Sequence, residues 1–164
     1  MLFRQVKKKI WTVVAVILII LTMGFFALSY AYYADVTALE KMEFIVNDVS
    51  FPELGFNYCK LKFILNISNP TNYRISSLSI SFTIYLANNS IGDGSMEDIS
   101  IHAHSSIEKD MVITIYYMDV VEGVIDAIRN GNFLLTIKGT STADVLFGLT
   151  TASRNFEISY TYAL

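Results

Sequence analysis

The pattern of apolar and polar residues changes along this chain. A continuous apolar run near the start carries no charged residue from Ile10 to Ala34. From about Phe44 to the end, apolar and polar residues tend to alternate with a period of two. A long uninterrupted run predicts one helix, whereas alternation predicts strands that bury one face in a core.

The clearest alternation lies on either side of Asn69-Pro70. Pro70 cannot donate a hydrogen bond to a strand ladder and disfavours helix at Asn69, so a turn is predicted there, where the chain changes its pairing partner. The only cysteine, Cys59, belongs to the inward face, which predicts a buried thiol and excludes an intrachain disulfide. The inward positions are Cys59, Leu61, Phe63, Leu65 and Ile67 before the turn, and Leu78, Ile80, Phe82, Ile84 and Leu86 after it.

The remaining segments predict further strands and one helix. "IGDGSM" (residues 91–96) is typical of a short edge strand, and a longer strand is predicted to end near Tyr117. Two strands are predicted at the C-terminus, with residues 145–149 as a short strand or a packed loop. The fold class is therefore all-β, a β-sandwich of the immunoglobulin or fibronectin III type with about seven strands. The helix is predicted from Asp119 and Glu122 as a capping pair, an apolar stripe of Val121, Val124, Ile125 and Ile128, and Arg129 and Gly131 at its end.

The apolar run is long enough for a membrane. A helix needs about 20 apolar residues to cross the hydrocarbon layer, and the uncharged run provides 25. Basic residues precede it, which predicts a cytoplasmic N-terminus. Aromatic residues mark the two interfaces. The basic residues are Arg4, Lys7, Lys8 and Lys9, and the aromatic ones are Trp11, Tyr30, Tyr32 and Tyr33.

Two alternatives concern this segment. Ser29-Tyr30-Ala31 offers a signal-peptide cleavage site after Ala31, but the apolar run exceeds the ~7 to 15 residues of a signal h-region, which favours a retained signal anchor in the plasma membrane. Residues 1–9 then form a cytoplasmic basic tail and 10–34 the transmembrane signal anchor. Residues 35–43 are a stalk or a helix extension, and 44–164 form an extracytoplasmic sandwich.

Charge is distributed unevenly along the chain. All fifteen acidic residues lie at or after Asp35, together with only eight of the twelve basic residues. The predicted outer part therefore carries seven more negative than positive charges. Such a surface keeps a domain soluble and argues against nucleic acid as a partner.

The stretch "LKFILNISNPTNYRISSLSISFTIYLANNSIGDG" (residues 61–94) resembles the water-stress and hypersensitive-response (WHy) domain of type 2 late embryogenesis abundant (LEA) proteins. It shares a strand that ends in Asn-Pro, a second alternating strand that ends near Tyr-Leu, a polar turn and Ile-Gly-x-Gly. Later elements follow the family's order, so the likeness covers roughly residues 44–162. The resemblance implies a small fibronectin-like sandwich with one helix, a link to desiccation and stress tolerance, and no agreed enzymatic activity.

Few residues suggest chemistry. His102 and His104 have the spacing of metal ligands on a strand but lack a third partner nearby, which favours a surface pair. Asp93, Glu97 and Asp98 lack the EF-hand spacing and are interpreted as an edge-strand charge cluster. No nucleophile motif or phosphate-binding loop is present. We therefore predict no enzyme and no catalytic, cofactor-binding or metal-binding residues. Asn66 and Asn88 begin sequons and are candidate N-glycosylation sites.

Two functional hypotheses follow, and both take the lipid bilayer as a partner through the N-terminal helix. The first is a non-catalytic, outward-facing binding or protective module that acts during stress. The second is a structural or accessory subunit of a cell-surface assembly or membrane complex, with other membrane or surface proteins as partners. A third idea, an apolar ligand carried between the sheets, rests only on the high hydrophobic fraction.

Overall fold

The computed structural model describes residues 2–120 and 122–163, with side chains from Trp11 onwards; Met1, Val121 and Leu164 lie outside it. Over these residues the chain forms a long helix, a short helix and seven strands. In chain order they are α1 (Leu2–Lys41), β1 (Glu43–Leu54), β2 (Tyr58–Asn69), β3 (Ile75–Leu86), β4 (Asn89–Ile101), β5 (Ser105–Tyr116), α2 (Glu122–Asn130), β6 (Asn132–Val145) and β7 (Thr150–Ala163).

The strands form two antiparallel sheets. Sheet A has the order β1-β2-β5, and sheet B has the order β4-β3-β6-β7. β2 and β3 therefore belong to different sheets, and the chain crosses between them at residues 70–74. This confirms the β-sandwich and the predicted change of partner after Asn69-Pro70.

The core lies between the sheets and follows the alternation of β2 and β3. Every inward residue predicted in these two strands is buried, including the Cys59 thiol, whose pKa is raised by burial. Gly139 lies beside this core, where a Cβ atom would come within 2.7 Å of Phe82 and Phe156. Among the largest fully buried side chains are Phe63, Leu61, Leu65, Ile67, Leu78, Ile80, Ile84, Leu86, Ile101 and Ile115.

The edge strand and the short helix match their predictions, with different bounds. β4 lies at the edge of sheet B but is longer than "IGDGSM", because its backbone pairs with β3 from Asn89 to Ile101 whatever the side chains. α2 begins at Glu122, and Val121 of the predicted apolar stripe lies outside the described residues. At its end, Gly131 has a φ of 60° and its N–H donates to the Ile128 carbonyl, the geometry that glycine favours there.

α1 is one continuous helix that includes residues 35–41, so these residues extend the helix beyond the apolar run. From Trp11 to Lys41 it is 31 residues long, and its most apolar stretch has no cover from the sandwich. Side chains such as Phe25 and Phe26 are exposed over more than two thirds of their surface. This length and composition are those of a membrane span or a signal anchor.

The prediction for residues 145–149 was wrong. Val145 ends β6, and residues 146–149 form a tight turn to β7 instead of a strand or a packed loop. Two apolar side chains in this turn point away from the core: Phe147 is 86% exposed and Leu149 is 79% exposed. The physical reason is the register, because β6 and β7 pair continuously up to Val145 opposite Thr150 and leave only four residues for the reversal.

Candidate functional site at the α1 end of the sandwich

The sandwich has two ends that differ in composition. We call the end next to α1 the proximal end; it contains the turns at residues 70–74, 102–104 and 146–149. The opposite, distal end contains the turns at residues 55–57 and 87–88 and the segment from Tyr117 to α2. The strand order places these turns together, because consecutive antiparallel strands reverse at opposite ends.

The last turn of α1 and the residue that follows it are part of the sandwich core. Ala38, Leu39 and Met42 are at most 1% exposed, and burying a leucine or methionine contributes roughly 1.5–3 kcal/mol each. From β7, the Arg154 guanidinium donates hydrogen bonds to the carbonyls of Leu39 (3.2 Å) and Met42 (2.6 Å). These carbonyls need external donors because they lie at a helix end, where a cation is also favoured by the helix dipole.

A second contact joins α1 to the β6–β7 turn. The Asp35 carboxylate accepts a hydrogen bond of 2.9 Å from the backbone N–H of Leu146. Leu146 and Phe147 have φ values of 54° and 61°, a conformation that bulky side chains seldom adopt. An open cleft of about 610 Å³ separates this turn from α1, and its lining includes Ala31, Ala34 and Phe147. The turn therefore lies beside α1 where the uncharged run ends.

The Asn69 side chain links two proximal turns through hydrogen bonds. Its side chain is fully buried, and its amide donates to the carbonyls of Tyr73 (2.7 Å) and His102 (3.1 Å). Its oxygen accepts from the backbone N–H (3.2 Å) and the hydroxyl (2.7 Å) of Thr71. The Thr71 carbonyl in turn accepts from the N–H of His104. The Asn-Pro motif thus supplies the buried polar centre of the proximal end.

The two histidines lie in the turn at residues 102–104 and not in a strand. His104 Nε2 lies 2.6 Å from the Asn72 side-chain oxygen, so this ring has a partner in the neighbouring turn. In the part of the chain that the structure describes, no group of three metal-ligating side chains includes either histidine. Nearby, the hydroxyls of Tyr30 on α1 and Tyr73 lie 3.5 Å apart.

A shallow groove of about 750 Å³ lies on the outer face of sheet B, and not between the sheets where an apolar ligand was considered. Its polar side chains pair with one another across the strands: Thr83 with Asp93 (2.6 Å) and Lys138 with Glu157 (3.1 Å). Cross-strand pairs of this kind stabilise a sheet. Asp93 of the predicted charge cluster thus has a partner within the sheet.

The sequon asparagines lie on the surface, apart from each other. Asn66 projects from the outer face of sheet A in the central strand β2 and is half-buried, with Glu108 as a distant partner at 3.4 Å. Asn88 is exposed in the two-residue turn between β3 and β4. Its φ of 66° follows 49° at Ala87, as in a type I′ hairpin. Both remain candidate glycosylation sites.

The distal end carries a charged cluster instead of a buried polar one. Glu53 accepts hydrogen bonds from the Tyr58 hydroxyl and from Lys60, at 2.5 Å for the latter. The hydrogen bonds from Lys60 and Tyr58 lower the pKa of Glu53, and the Glu53 carboxylate raises the pKa of both partners. Beside this cluster, three apolar side chains are exposed: Leu54, Phe56 and Met118.

Comparison with known proteins shows the fold. No family model matches the chain, and no curated protein matches it. A solution structure of the Arabidopsis thaliana protein AT1g01470 is similar over 74% of this chain and 82% of its own, with a TM-score of 0.51 and 19% identity. The crystal structure of a candidate ApaA protein from Bordetella pertussis is similar over 76% and 94%, with a TM-score of 0.50 and 10% identity. The solution structure of At2g46140.1, a candidate LEA protein, covers 90% and 89%, with a TM-score of 0.41 and 16% identity.

Several residues of the proximal end escaped the sequence analysis. Asp35 and Arg154 had no recognisable motif, since their partners are backbone groups more than 100 residues away in the chain. Residues 145–149 were predicted as a short strand or a packed loop, which missed the exposure of Phe147 and Leu149. A glycine between two apolar residues, at the point where two alternating strands meet, was the one signal that favoured an exposed turn.

Proposed function

We propose that this chain is a single-pass membrane protein whose sandwich stands on the outer side of the plasma membrane as a non-catalytic binding or protective module. In this proposal α1 crosses the bilayer with the basic tail in the cytoplasm. The sandwich presents a hydrated acidic surface to its surroundings, and its role belongs to water or other stress, as the LEA type 2 resemblance implies.

The observation that carries the proposal is the rigid joint between α1 and the sandwich. α1 continues without a break from the apolar run into this joint, where Ala38, Leu39 and Met42 are buried in the sandwich core. Cleavage after Ala31 would leave these three residues in place, so the 25-residue uncharged run, which exceeds a signal h-region, is the feature that favours a retained anchor. The likeness of residues 61–94 to the family motif supports the stress role.

Orientation can be tested with the chain's own sequons. Translation of the full chain with endoplasmic-reticulum microsomes should glycosylate Asn88, because only a lumenal sandwich meets the glycosylating enzyme. Glycan removal should increase gel mobility, and Asn88→Gln should abolish one glycan while Asn66→Gln reports on the second site. An unmodified chain that is fully protease-accessible outside the microsomes would place the sandwich on the cytoplasmic side and overturn the proposal.

The stress role needs a separate experiment. Cells that lack the protein should survive drying or high salt less well than the parent, and the full-length chain should restore survival. A variant that keeps the anchor but carries Asn69→Ala, which is expected to weaken the sandwich, should restore survival less well. Equal survival of the parent cells and of the cells that lack the protein, under drying, salt and heat, would contradict the stress role. It would not bear on whether α1 anchors the protein.

The distal end supports a second candidate function, that of a subunit in a surface complex. Phe56 and Met118 are almost fully exposed and lie beside Leu54 at the end farthest from α1, where exposed apolar side chains suit a protein partner. Native sizing in mild detergent tests this candidate. A partner at fixed stoichiometry that is lost with Phe56→Ser would support the subunit role, whereas a solitary chain would support the protective module.

A further inference from the structure

We infer that the proximal end is a second membrane-contact surface, in which the β6–β7 turn places Phe147 and Leu149 into the headgroup region of the bilayer that α1 crosses. The inference rests on the proposed function in one respect, namely that α1 spans the membrane. It adds that the sandwich lies against the lipid instead of standing clear of it.

The first step is the position of the turn along α1. Asp35 is the first charged residue after the uncharged run, and its carboxylate accepts a hydrogen bond from the N–H of Leu146. Phe147 shares a cleft with Ala31 and Ala34. Because a helix rises 1.5 Å per residue, residues 31–35 span only about 6 Å. The turn is therefore level with the point where α1 leaves the hydrocarbon.

The second step is the chemistry of the exposed groups. Phe147 and Leu149 are largely exposed, and apolar side chains at the level of a membrane boundary gain free energy by insertion among lipid headgroups. Tyr30 and Tyr33 of α1 are also exposed at this level, where tyrosine is typical of the interface. Tyr73 joins them through its contact with Tyr30. Aromatic and apolar side chains of α1 and of two proximal turns thus lie near the end of the uncharged run.

The third step is charge. The turns at residues 70–74, 102–104 and 146–149 contain no acidic residue, although the chain has fifteen after residue 34. They contain Arg74 and two histidines. Two acidic groups, Asp35 and Asp144, line the cleft beside the β6–β7 turn, and Asp35 accepts a hydrogen bond from the Leu146 N–H. The proximal end is therefore the part of an acidic domain that approaches lipid phosphates with the least repulsion.

The test uses the single tryptophan of the chain. In full-length protein reconstituted into phosphatidylcholine and phosphatidylglycerol vesicles, native Trp11 should lose emission when the lipids are brominated, since it lies in α1. In a Trp11→Phe background, Phe147→Trp should lose emission with lipids brominated near the headgroup. Its emission should also shift to the blue. Leu149→Trp serves as a second probe, and Phe56→Trp at the distal end is the matched control, with emission quenched by aqueous iodide and insensitive to bromine.

The outcomes separate the inference from the proposed anchor. Quenched Trp11 and quenched Trp probes at both turn positions support the inference. Quenched Trp11 with iodide-accessible turn probes overturns the inference alone. Turn probes that are blue-shifted but insensitive to brominated lipid indicate contact with a second copy of the chain and also overturn it. Trp11 that is insensitive to bromine overturns the anchor, and the inference with it.

Discussion

The proximal and distal ends of the sandwich are held together by different kinds of polar interaction. At the proximal end a buried neutral amide, Asn69, and a guanidinium, Arg154, bond to backbone groups of several turns. At the distal end an exposed carboxylate, Glu53, pairs with side chains of the next strand. A buried hydrogen bond that loses its partner costs far more than an exposed ion pair contributes. We therefore expect substitutions of polar residues to destabilise the fold most at the end that joins α1.

The largest effect is expected for Asn69→Ala. The substitution leaves the carbonyl of His102 and the N–H of Thr71 without their side-chain partner, and it removes one of the two side-chain donors to the Tyr73 carbonyl. We expect the free energy of unfolding to fall by roughly 2–4 kcal/mol, because each buried unsatisfied group costs about 1–3 kcal/mol. Chemical unfolding of the detergent-solubilised full chain, followed by near-ultraviolet circular dichroism, measures this loss.

Asn66→Ala is the matched control for that substitution. It removes the same side chain from the same strand, three residues earlier, where the amide faces outward and its one partner lies at 3.4 Å. A change within about 0.5 kcal/mol is expected. Equal losses for the two variants would contradict the view that the proximal network, and not β2 in general, fixes this end.

Arg154→Met tests the joint to α1 and is expected to have an intermediate effect. The substitution keeps an apolar stem but removes both hydrogen bonds to the end of α1. Hydrogen bonds from a charged group contribute about 1.5–3 kcal/mol when buried, and partial exposure of Arg154 lowers the expected loss to roughly 1–2 kcal/mol. The same unfolding measurement applies, with the α1-to-sandwich distance distribution from paired spin labels as a second readout that should broaden.

Arg129→Met supplies the comparison at the distal end. Arg129 lies in the last turn of α2, is exposed, and acts on the helix end chiefly through its charge. A loss of at most about 0.5 kcal/mol is expected. If Arg129→Met cost as much as Arg154→Met, the two helix ends would be equivalent and the proximal joint would have no special strength.

The sequence predicted some parts of the sandwich better than others. Alternation predicted β2 and β3 residue by residue, since one face of each strand is buried throughout. Pro70 predicted the crossing between sheets. The role of Asn69 could not be predicted, because its acceptor His102 lies 33 residues away, in a turn that only the fold brings beside it. β4 was predicted too short, because its glycines and acidic residues interrupt the alternation that predicts a strand. Its backbone nevertheless pairs with β3 along its whole length.

The smallest effect, and the sharpest contrast between the ends, concerns pH. Because Lys60 and Tyr58 lower the pKa of Glu53 below its ordinary value of 4.5, the native state binds the Glu53 proton more weakly than the unfolded state does. The resulting stabilisation is present above that ordinary value and is lost as the pH falls through the lower, native one. The difference in melting temperature between wild type and Glu53→Gln should therefore be constant near neutral pH and shrink in acid. The difference caused by Asn69→Ala should keep its size over the same range, since the amide does not titrate. An acid-sensitive Asn69→Ala difference, or a Glu53→Gln difference that stays constant in acid, would contradict the division into a neutral proximal network and a charged distal one.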